Sequence, residues 1–394
     1  MKKLKFYFLF LSVFFFSGCY NYRELNEIAI TSAIGVSKNG ENYVVTVQVI
    51  NTQKVEERGE QPQFIIYKQE GKSLQYAFRK VILESPRRLF VNHNLLLIID
   101  ENLAKEGIQD VLDLFARDTE FRKQFIVVVS KNASDEDILE TQTPLEILNA
   151  KSIRDSISAD LNYLGVSKEI TLELLLENYL NDKEQIALPT VRMTGNSEVG
   201  EQDENLKNTN TEVRVIVDGF AVFKEDKLVG YLDLEQSIAS NYINDEIKNS
   251  IISYQCGENK YSAIEIIKNK TEIKWIKNEP KFKISIKAQG NINEIHCEID
   301  LTKESEIKKL EKEVEQVLKE NIETTLKLVK EEYHSDIFGF GEILYKTNPK
   351  YFYELKEKTN DEIMSSLDFE VDIDVQLLAK GNLVKVIENE KQNQ

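Results

Sequence analysis

Two continuous apolar runs, Leu95–Ile99 and Phe125–Val129, constrain the fold of this chain more than any other feature. Runs without polar alternation belong to strands buried on both faces, which need covering layers on either side. Between them, residues from about Leu103 to Arg117 have helical character, so strand, helix and buried strand follow one another as in an α/β layer. The residues before them fit the same layer. Ile28–Val36 and Tyr43–Asn51 read as strands joined through Lys38-Asn39-Gly40, a hairpin turn. Phe64–Lys68 is a further strand. Ser73–Leu83 is a helix with Leu74, Ala77, Phe78 and Val81 on one face, stopped at Ser85-Pro86 because the residue before proline leaves the α region. From Pro144 to Tyr179 the pattern is mostly helical, and Gln185–Met193 returns as a strand.

The N-terminus carries a different signal. Met1-Lys2-Lys3-Leu4-Lys5, an apolar stretch from Phe6 to Phe16, and Ser17-Gly18-Cys19 form the basic, apolar and small-residue regions of a secretory signal peptide. At about 11 residues the apolar stretch is shorter than the ~20 of a spanning helix. Ending on a cysteine, it reads as a bacterial lipoprotein signal: residues 1–18 are removed, and Cys19 becomes a diacylated first residue. The formal net charge is -17, and more negative once Lys2, Lys3 and Lys5 leave with the signal. Such a surface is repelled by nucleic-acid phosphate and by anionic headgroups, so attachment is expected to rest on the lipid at Cys19.

A chain of 394 residues with 41% hydrophobic content accommodates two or three domains at roughly 150 residues each. The polar stretch 196–211 reads as a linker between an N-terminal α/β region, 19–195, and a C-terminal α+β domain, 212–388. The latter opens with strands Glu212–Phe223 and Leu228–Leu232, turned through Lys224-Glu225-Asp226. Glu272–Trp275, Lys281–Ala288 and Glu294–Asp300 alternate with period two. Glu304–Tyr333 is the clearest helix, with Ile307, Leu310, Val314 and Val317 starting its apolar stripe and Glu304/Lys308, Glu315/Lys319 and Glu323/Lys327 at i,i+4. It is expected to pack across a sheet. A short helix around Tyr351–Met364 and a final strand Phe369–Leu378 complete an antiparallel sheet covered by helices on one side. The fold class is therefore α+β, multi-domain, with mixed sheets flanked by helices.

The chemistry-bearing residues are sparse. His93, His296 and His334 are far apart and lack zinc-ligand spacing, so no metal is expected and the three read as structural. Cys256 and Cys297 either pair or remain buried thiols. The glycines near Phe340 lack the Lys and Ser/Thr of a phosphate loop, and neither a nucleophile elbow nor a zincin helix occurs. No catalytic residue and no cofactor are assigned. Arg87-Arg88, and Arg117-Asp118 with Glu120 and Arg122, are the denser charge groups, read as surface ion pairs.

Several motifs occur in one order along the chain. Cys19-Tyr20-Asn21-Tyr22-Arg23-Glu24-Leu25 leads into Ile28–Gly35; Gly71-Lys72-Ser73-Leu74, Ser85–Phe90 with His93, and Leu103-Ala104 with Arg117-Asp118 follow. Asp218–Lys224 with Lys227–Leu232, and Asp336–Glu342 with Asn348-Pro349, complete the series. In these motifs the chain resembles the Ger(x)C family of spore germination lipoproteins, the C subunits of nutrient germinant receptors. Tyr20, Tyr231 and Phe352 stand where the family carries Trp, which points to structural aromatic roles. The resemblance implies a three-domain, non-enzymatic subunit anchored at the extracytoplasmic face of the inner spore membrane. It implies assembly with integral-membrane A and B subunits, the transporter-like B subunit being placed at germinant recognition. Gly219, Gly230, Gly339 and Gly341 of the two C-terminal signatures suit positive φ or close backbone approach. The alternative reading is a substrate-binding lipoprotein delivering a small molecule to a permease. A hydrolase using scattered carboxylates ranks below both.

Overall fold

The computed structural model describes residues 27–51, 62–181, 183–202, 204–207, 209–277, 279–297, 299–359 and 362–379. The expected signal peptide, Cys19 and Tyr20 lie outside the described residues.

A nine-stranded sheet is formed by β1 (Ile28–Asn39), β2 (Asn42–Ile50), β3 (Phe64–Gly71), β4 (Arg88–Phe90), β5 (Leu96–Ile99), β6 (Ile126–Lys131), β7 (Ala187–Thr194), β8 (Arg214–Lys224) and β9 (Lys227–Leu232). Its order is β3-β2-β1-β5-β6-β7-β8-β9, with β4 paired to β1. The β1–β5–β6–β7 block is parallel, and antiparallel hairpins flank it on both sides. The apolar runs behave as their lack of alternation requires. Leu97, Ile99, Val127 and Val129 join the core that holds Leu103, Val111 and Phe115, whereas Leu96, Ile98, Ile126 and Val128 join Ile138, Ile153 and Ile157 on the opposite face. The sheet therefore carries helices on both sides. The expected Leu103–Arg117 helix is two helices, Glu101–Glu106 and Gln109–Arg117, broken where Gly107 adopts φ +137 and Ile108 donates its N–H to the Asp226 carbonyl at 2.9 Å.

β8 and β9 belong to this sheet. The polar stretch 196–211 thus runs between two adjacent, hydrogen-bonded strands, β7 and β8, and contains the short helices Ser197–Gly200 and Glu204–Lys207. Buried Asn205 ties it down, accepting from Val213 N at 3.0 Å and donating to the carbonyls of Val213 at 3.1 Å and Gln142 at 3.2 Å.

After the helix Leu234–Ile243, started by a capping box of Asp233 and Gln236, a second sheet of four strands follows: β10 (Ser250–Gly257), β11 (Lys260–Trp275), β12 (Lys281–Glu294) and β13 (Asp368–Ala379). The expected antiparallel sheet is antiparallel only over β10, β11 and β12; β13 runs parallel to β12 because the helices between them carry the chain back to the end at which β12 starts. The strand expected at Glu294–Asp300 is not formed: β12 carries straight through from Lys281 to Glu294, and the chain then leaves the sheet. The long helix Glu304–Leu328 buries Leu310, Val314, Leu318, Ile322 and Leu326 against this sheet. Its carboxylates do more than pair along the helix. Glu315 and Glu311 accept the outward N–H groups of Val375 at 3.1 Å and Leu377 at 2.9 Å, covering an edge strand that would otherwise offer open pairing sites. Of the expected i,i+4 pairs, Glu304–Lys308 forms at 2.8 Å, while Lys312 reaches Glu315 and Lys319 reaches Glu323 at 3.8 Å.

Cys256 and Cys297 form a disulfide with Cα atoms 6.0 Å apart, joining the end of β10 to the segment after β12. Linking residues 41 apart in sequence removes loop-closure entropy worth about 4 kcal/mol from the unfolded chain in the entropic account. Reductant, or Cys297→Ser, is therefore expected to lower the denaturation midpoint clearly. An intact mass unchanged by alkylation without reductant checks the bond itself for these two cysteines.

Candidate functional site

The two C-terminal signatures meet at one place, the junction of the nine-stranded sheet with the helices and sheet that follow it. β8 is the element that makes this possible. Its alternating side chains face two cores: Ala221 and Phe223 pack with the N-terminal helices, Phe220 and Val222 with the C-terminal core. Asp218 at the start of the first signature accepts from Lys131 Nζ at 2.7 Å and Arg192 Nε at 2.9 Å. Burial pushes its carboxyl up, but these two cations outweigh burial and hold it below the ordinary carboxylate value. Lys131 also lies over the Tyr231 ring at 4.8 Å. Asp218 thereby pins β8 to β6 and β7.

The second signature docks on this hairpin. Tyr333 donates its hydroxyl to the Tyr231 carbonyl at 2.9 Å, and its ring occupies the space that a side chain at position 230 would need. Ser335 Oγ donates to the Phe223 carbonyl at 2.6 Å, and the Asp336 carbonyl accepts Gln185 N at 2.8 Å. Asp336 is buried. Its carboxylate accepts the N–H groups of Phe338 at 3.3 Å, Phe340 at 3.1 Å and Gly341 at 2.6 Å, so it caps the helix Phe340–Thr347 in place of Gly339. The expectation for the four glycines holds: Gly219 and Gly339 have positive φ, while Gly230 and Gly341 lie against Tyr333 and the Lys183 carbonyl. Phe352 is buried and packs edge-on to Tyr345 with ring centres 5.6 Å apart.

A cleft of about 830 Å³ opens beside this junction, lined among others by Glu184, Glu225, Asp226, His334, Asp336 and Glu362. Lys224 pairs with Glu362 at 2.7 Å across it. Burial, and then the nearby Asp336 carboxylate, push the Glu184 carboxyl up to about 7. Burial likewise pushes Asp336 up to about 6 in spite of its three N–H donors. Nothing in the motif spacing pointed to Glu184, which comes from the loop before β7 and reaches the second signature only in the folded chain.

These shifts set a pH dependence. A carboxyl raised above its unfolded value binds its proton more tightly in the folded state, so its contribution is present at low pH and is lost as pH rises through the folded pKa. For Asp336 that loss runs from the ordinary value of 3.8 to about pH 6, and for Glu184 from 4.5 to about pH 7. The melting temperature is expected to be higher near pH 5 than near pH 8, and Glu184→Gln to shrink the difference. A melting temperature rising steadily between those two pH values would contradict the assignment.

Apart from His334, which lines the cleft, the other residues singled out in the sequence lie elsewhere. Arg88 and Arg79 converge on Glu120, the latter at 3.2 Å, and Arg117 pairs with Asp113 at 2.7 Å on an exposed helix face. His93 stacks near Phe90, His296 meets Glu294 at 3.0 Å and His334 meets Ser365 Oγ at 2.8 Å. The histidines are not brought together, and among the described residues no cluster of His, Cys, Asp or Glu has the geometry of a metal site.

Comparison with known proteins matches residues 21–193 to the spore germination protein N-terminal domain and residues 218–381 to the spore germination B3/GerAC-like C-terminal domain. The gap between the two spans the polar stretch that connects the paired strands β7 and β8. Spore germination protein KC of Bacillus subtilis is 27% identical over 385 residues, covering 95% of this chain and 94% of that protein. Spore germination protein YndF of the same organism is 23% identical, covering 93% and 94%. The crystal structure of the GerBC protein superposes with a TM-score of 0.56 at 19% identity, covering 88% of this chain and 96% of that one. With its two domains matched in order and its fold shared with GerBC, the chain belongs to the GerAC-like family of spore germination proteins, the C subunits of germinant receptors.

Proposed function

We propose that this protein is a non-enzymatic, lipid-anchored subunit of a nutrient germinant receptor, held at the inner spore membrane through Cys19 and assembled with integral-membrane A and B subunits. The observation that carries the proposal is the match of both family domains in order along nearly the whole chain. The lipoprotein signal ending at Cys19 supports the anchor, and among the described residues no helix is long and apolar enough to cross a membrane. The signature residues Asp218 and Asp336, and Tyr333 and Ser335 just before the second signature, support a scaffolding role. Asp218, Tyr333, Ser335 and Asp336 spend their polar groups on backbone and cation partners inside the fold. Recognition of the germinant and passage through the membrane then fall to the partners, and this subunit acts through protein contacts.

The test is isolation of an affinity-tagged chain from spore membranes in mild detergent. Both integral-membrane subunits are expected to come with it. Recovery of the lipoprotein alone, from membranes in which the other subunits are intact, would count against assembly. The small-molecule delivery reading differs in needing saturable binding, which calorimetry of the purified chain against amino acids and sugars would detect.

A further inference from the structure

The overall acidity of the chain conceals one basic and apolar surface beside the point where the described chain begins. Between Lys72 and Arg88 the sequence holds five basic residues, Lys72, Arg79, Lys80, Arg87 and Arg88, against one acidic residue, Glu84. The helix Leu74–Lys80 and the 3₁₀ turn Val81–Leu83 bury Leu74, Ala77, Phe78 and Val81. The opposite stripe leaves Tyr76, Ile82 and Leu83 at 61%, 54% and 76% exposure. Three large apolar side chains on one outward stripe, interleaved with Arg79 and followed by Arg87, form the amphipathic pattern of a segment lying in a membrane interface. Arg79 and Arg88 both bond Glu120, so the stripe and the arginines after Pro86 share one surface. Exposed Arg122 follows on the same Glu120 loop, whose Phe121 packs on Phe78 with ring centres 5.7 Å apart.

The position of this surface names its occupant. Arg88 pairs directly with Ile28 at the start of β1. Cys19 stands eight residues before Glu27, a reach of at most about 28 Å for an extended chain. A lipid on Cys19 would therefore keep this surface within a short tether of the headgroups. The acidic groups facing it are Glu84, Asp118 and Glu120, with Asp110 and Asp113 across the pocket beside Lys72 and Arg79, where Asp113 pairs with Arg117 and Asp110 accepts from the Tyr43 hydroxyl. Glu120 is shared by two arginines, Asp118 lies 3.8 Å from Arg79, and Glu84 accepts from Gln69 Nε2 at 2.6 Å.

We infer that Tyr76, Arg79, Ile82, Leu83, Arg87 and Arg122 form a membrane-docking face that engages anionic phospholipid headgroups and orients the anchored protein. This rests on the anchored-subunit reading and revises the expectation that the lipid alone makes the attachment. The acidic remainder of the surface then faces away from the bilayer by like-charge repulsion.

The test is hydrogen exchange of the mature-length chain coupled through Cys19 to a maleimide lipid in vesicles, so that it does not depend on lipidation in the cell. Cys19 is the available thiol because Cys256 and Cys297 are bonded to each other. Amides of residues 72–92 are expected to exchange several-fold more slowly on vesicles containing phosphatidylglycerol than on phosphatidylcholine alone, with the difference reduced by added salt. The combined variant Ile82→Asp, Leu83→Asp, Arg87→Glu, with an unchanged melting temperature, is expected to lose that protection. The 142–148 loop, with Leu145 and Ile147 also exposed, is expected to be unaffected. Unprotected 72–92 amides on every lipid-only vesicle, or equal protection on neutral and anionic ones, would overturn the inference. Protection arising only when the vesicles carry the receptor's membrane subunits would overturn it in favour of a protein interface. Absence of lipid on Cys19 in spores would remove the anchor reading and leave the vesicle result standing.

Discussion

Replacing Gly219 with alanine is expected to destabilise the protein by about 3 kcal/mol or more, a large share of the 5–15 kcal/mol that holds a domain together. Gly219 sits in the first signature at φ +87, and a Cβ there would lie 2.3 Å from the Leu232 carbonyl oxygen and 2.7 Å from Ser237 Oγ. The left-handed backbone costs a non-glycine residue about 1–2 kcal/mol, and forcing atoms into a packed site adds about 1–3 kcal/mol. The carbonyl cannot give way without breaking the β8–β9 pairing of Phe220 with Leu232. Gly40 supplies the control. It has φ +57 with nothing within 4 Å of its Cβ position, so Gly40→Ala should incur the backbone cost alone. Denaturant midpoints of the two variants measure the difference, and equal losses would show that the close approach at Gly219 carries no weight.

Asp336→Ala is the second large effect. It leaves the N–H groups of Phe338, Phe340 and Gly341 without their acceptor inside the junction, and each orphaned donor costs about 1–3 kcal/mol. Relief of the buried carboxylate offsets part of this, since burial already raises its pKa to about 6. A net loss of about 3 kcal/mol is expected near neutral pH. Asp336→Asn keeps an oxygen for the donors and removes the buried charge, so its loss should be no more than about 1 kcal/mol near pH 8. The two variants thus separate the cap from the charge. If alanine and asparagine cost the same, the carboxylate does not act as the cap of the Phe340–Thr347 helix. The alanine variant should also weaken recovery of the membrane subunits, and the asparagine variant should not.

What the sequence discloses, and where it stops, follows from the range of the forces involved. Leu95–Ile99 and Phe125–Val129 are legible as doubly buried strands because every residue in them is apolar, and each face then finds its own helix layer. The turn at Gly40 and the stop before Pro86 are local steric effects, and both occur as expected. The helix Leu234–Ile243 carries a sign that is readable in the sequence, the Asp233 and Gln236 capping box. The partners of β8 are another matter. Period-two alternation marks a strand without saying which sheet it joins, and a polar stretch such as 196–211 resembles a linker even where Asn205 satisfies buried backbone groups. The junction itself is less legible still. Glu184, Tyr333 and Ser335 acquire their roles through contacts with residues distant in the chain, and none has a motif of its own. The Asp336–Glu342 signature is visible as a string, but its carboxylate becomes a helix cap only when the Lys183 carbonyl and β8 close around it.

The family assignment and the lipoprotein signal meet in one claim, that this chain must be anchored for a nutrient receptor to work. Dipicolinate release from spores carrying Cys19→Ala, with other receptor operons deleted and a panel of amino acids, nucleosides and sugars as stimuli, tests it most directly. The account predicts loss of the response that the unaltered chain supports to at least one nutrient, while lysozyme-assisted recovery shows the spores to be viable. A response equal to that of the unaltered chain for every nutrient would contradict it.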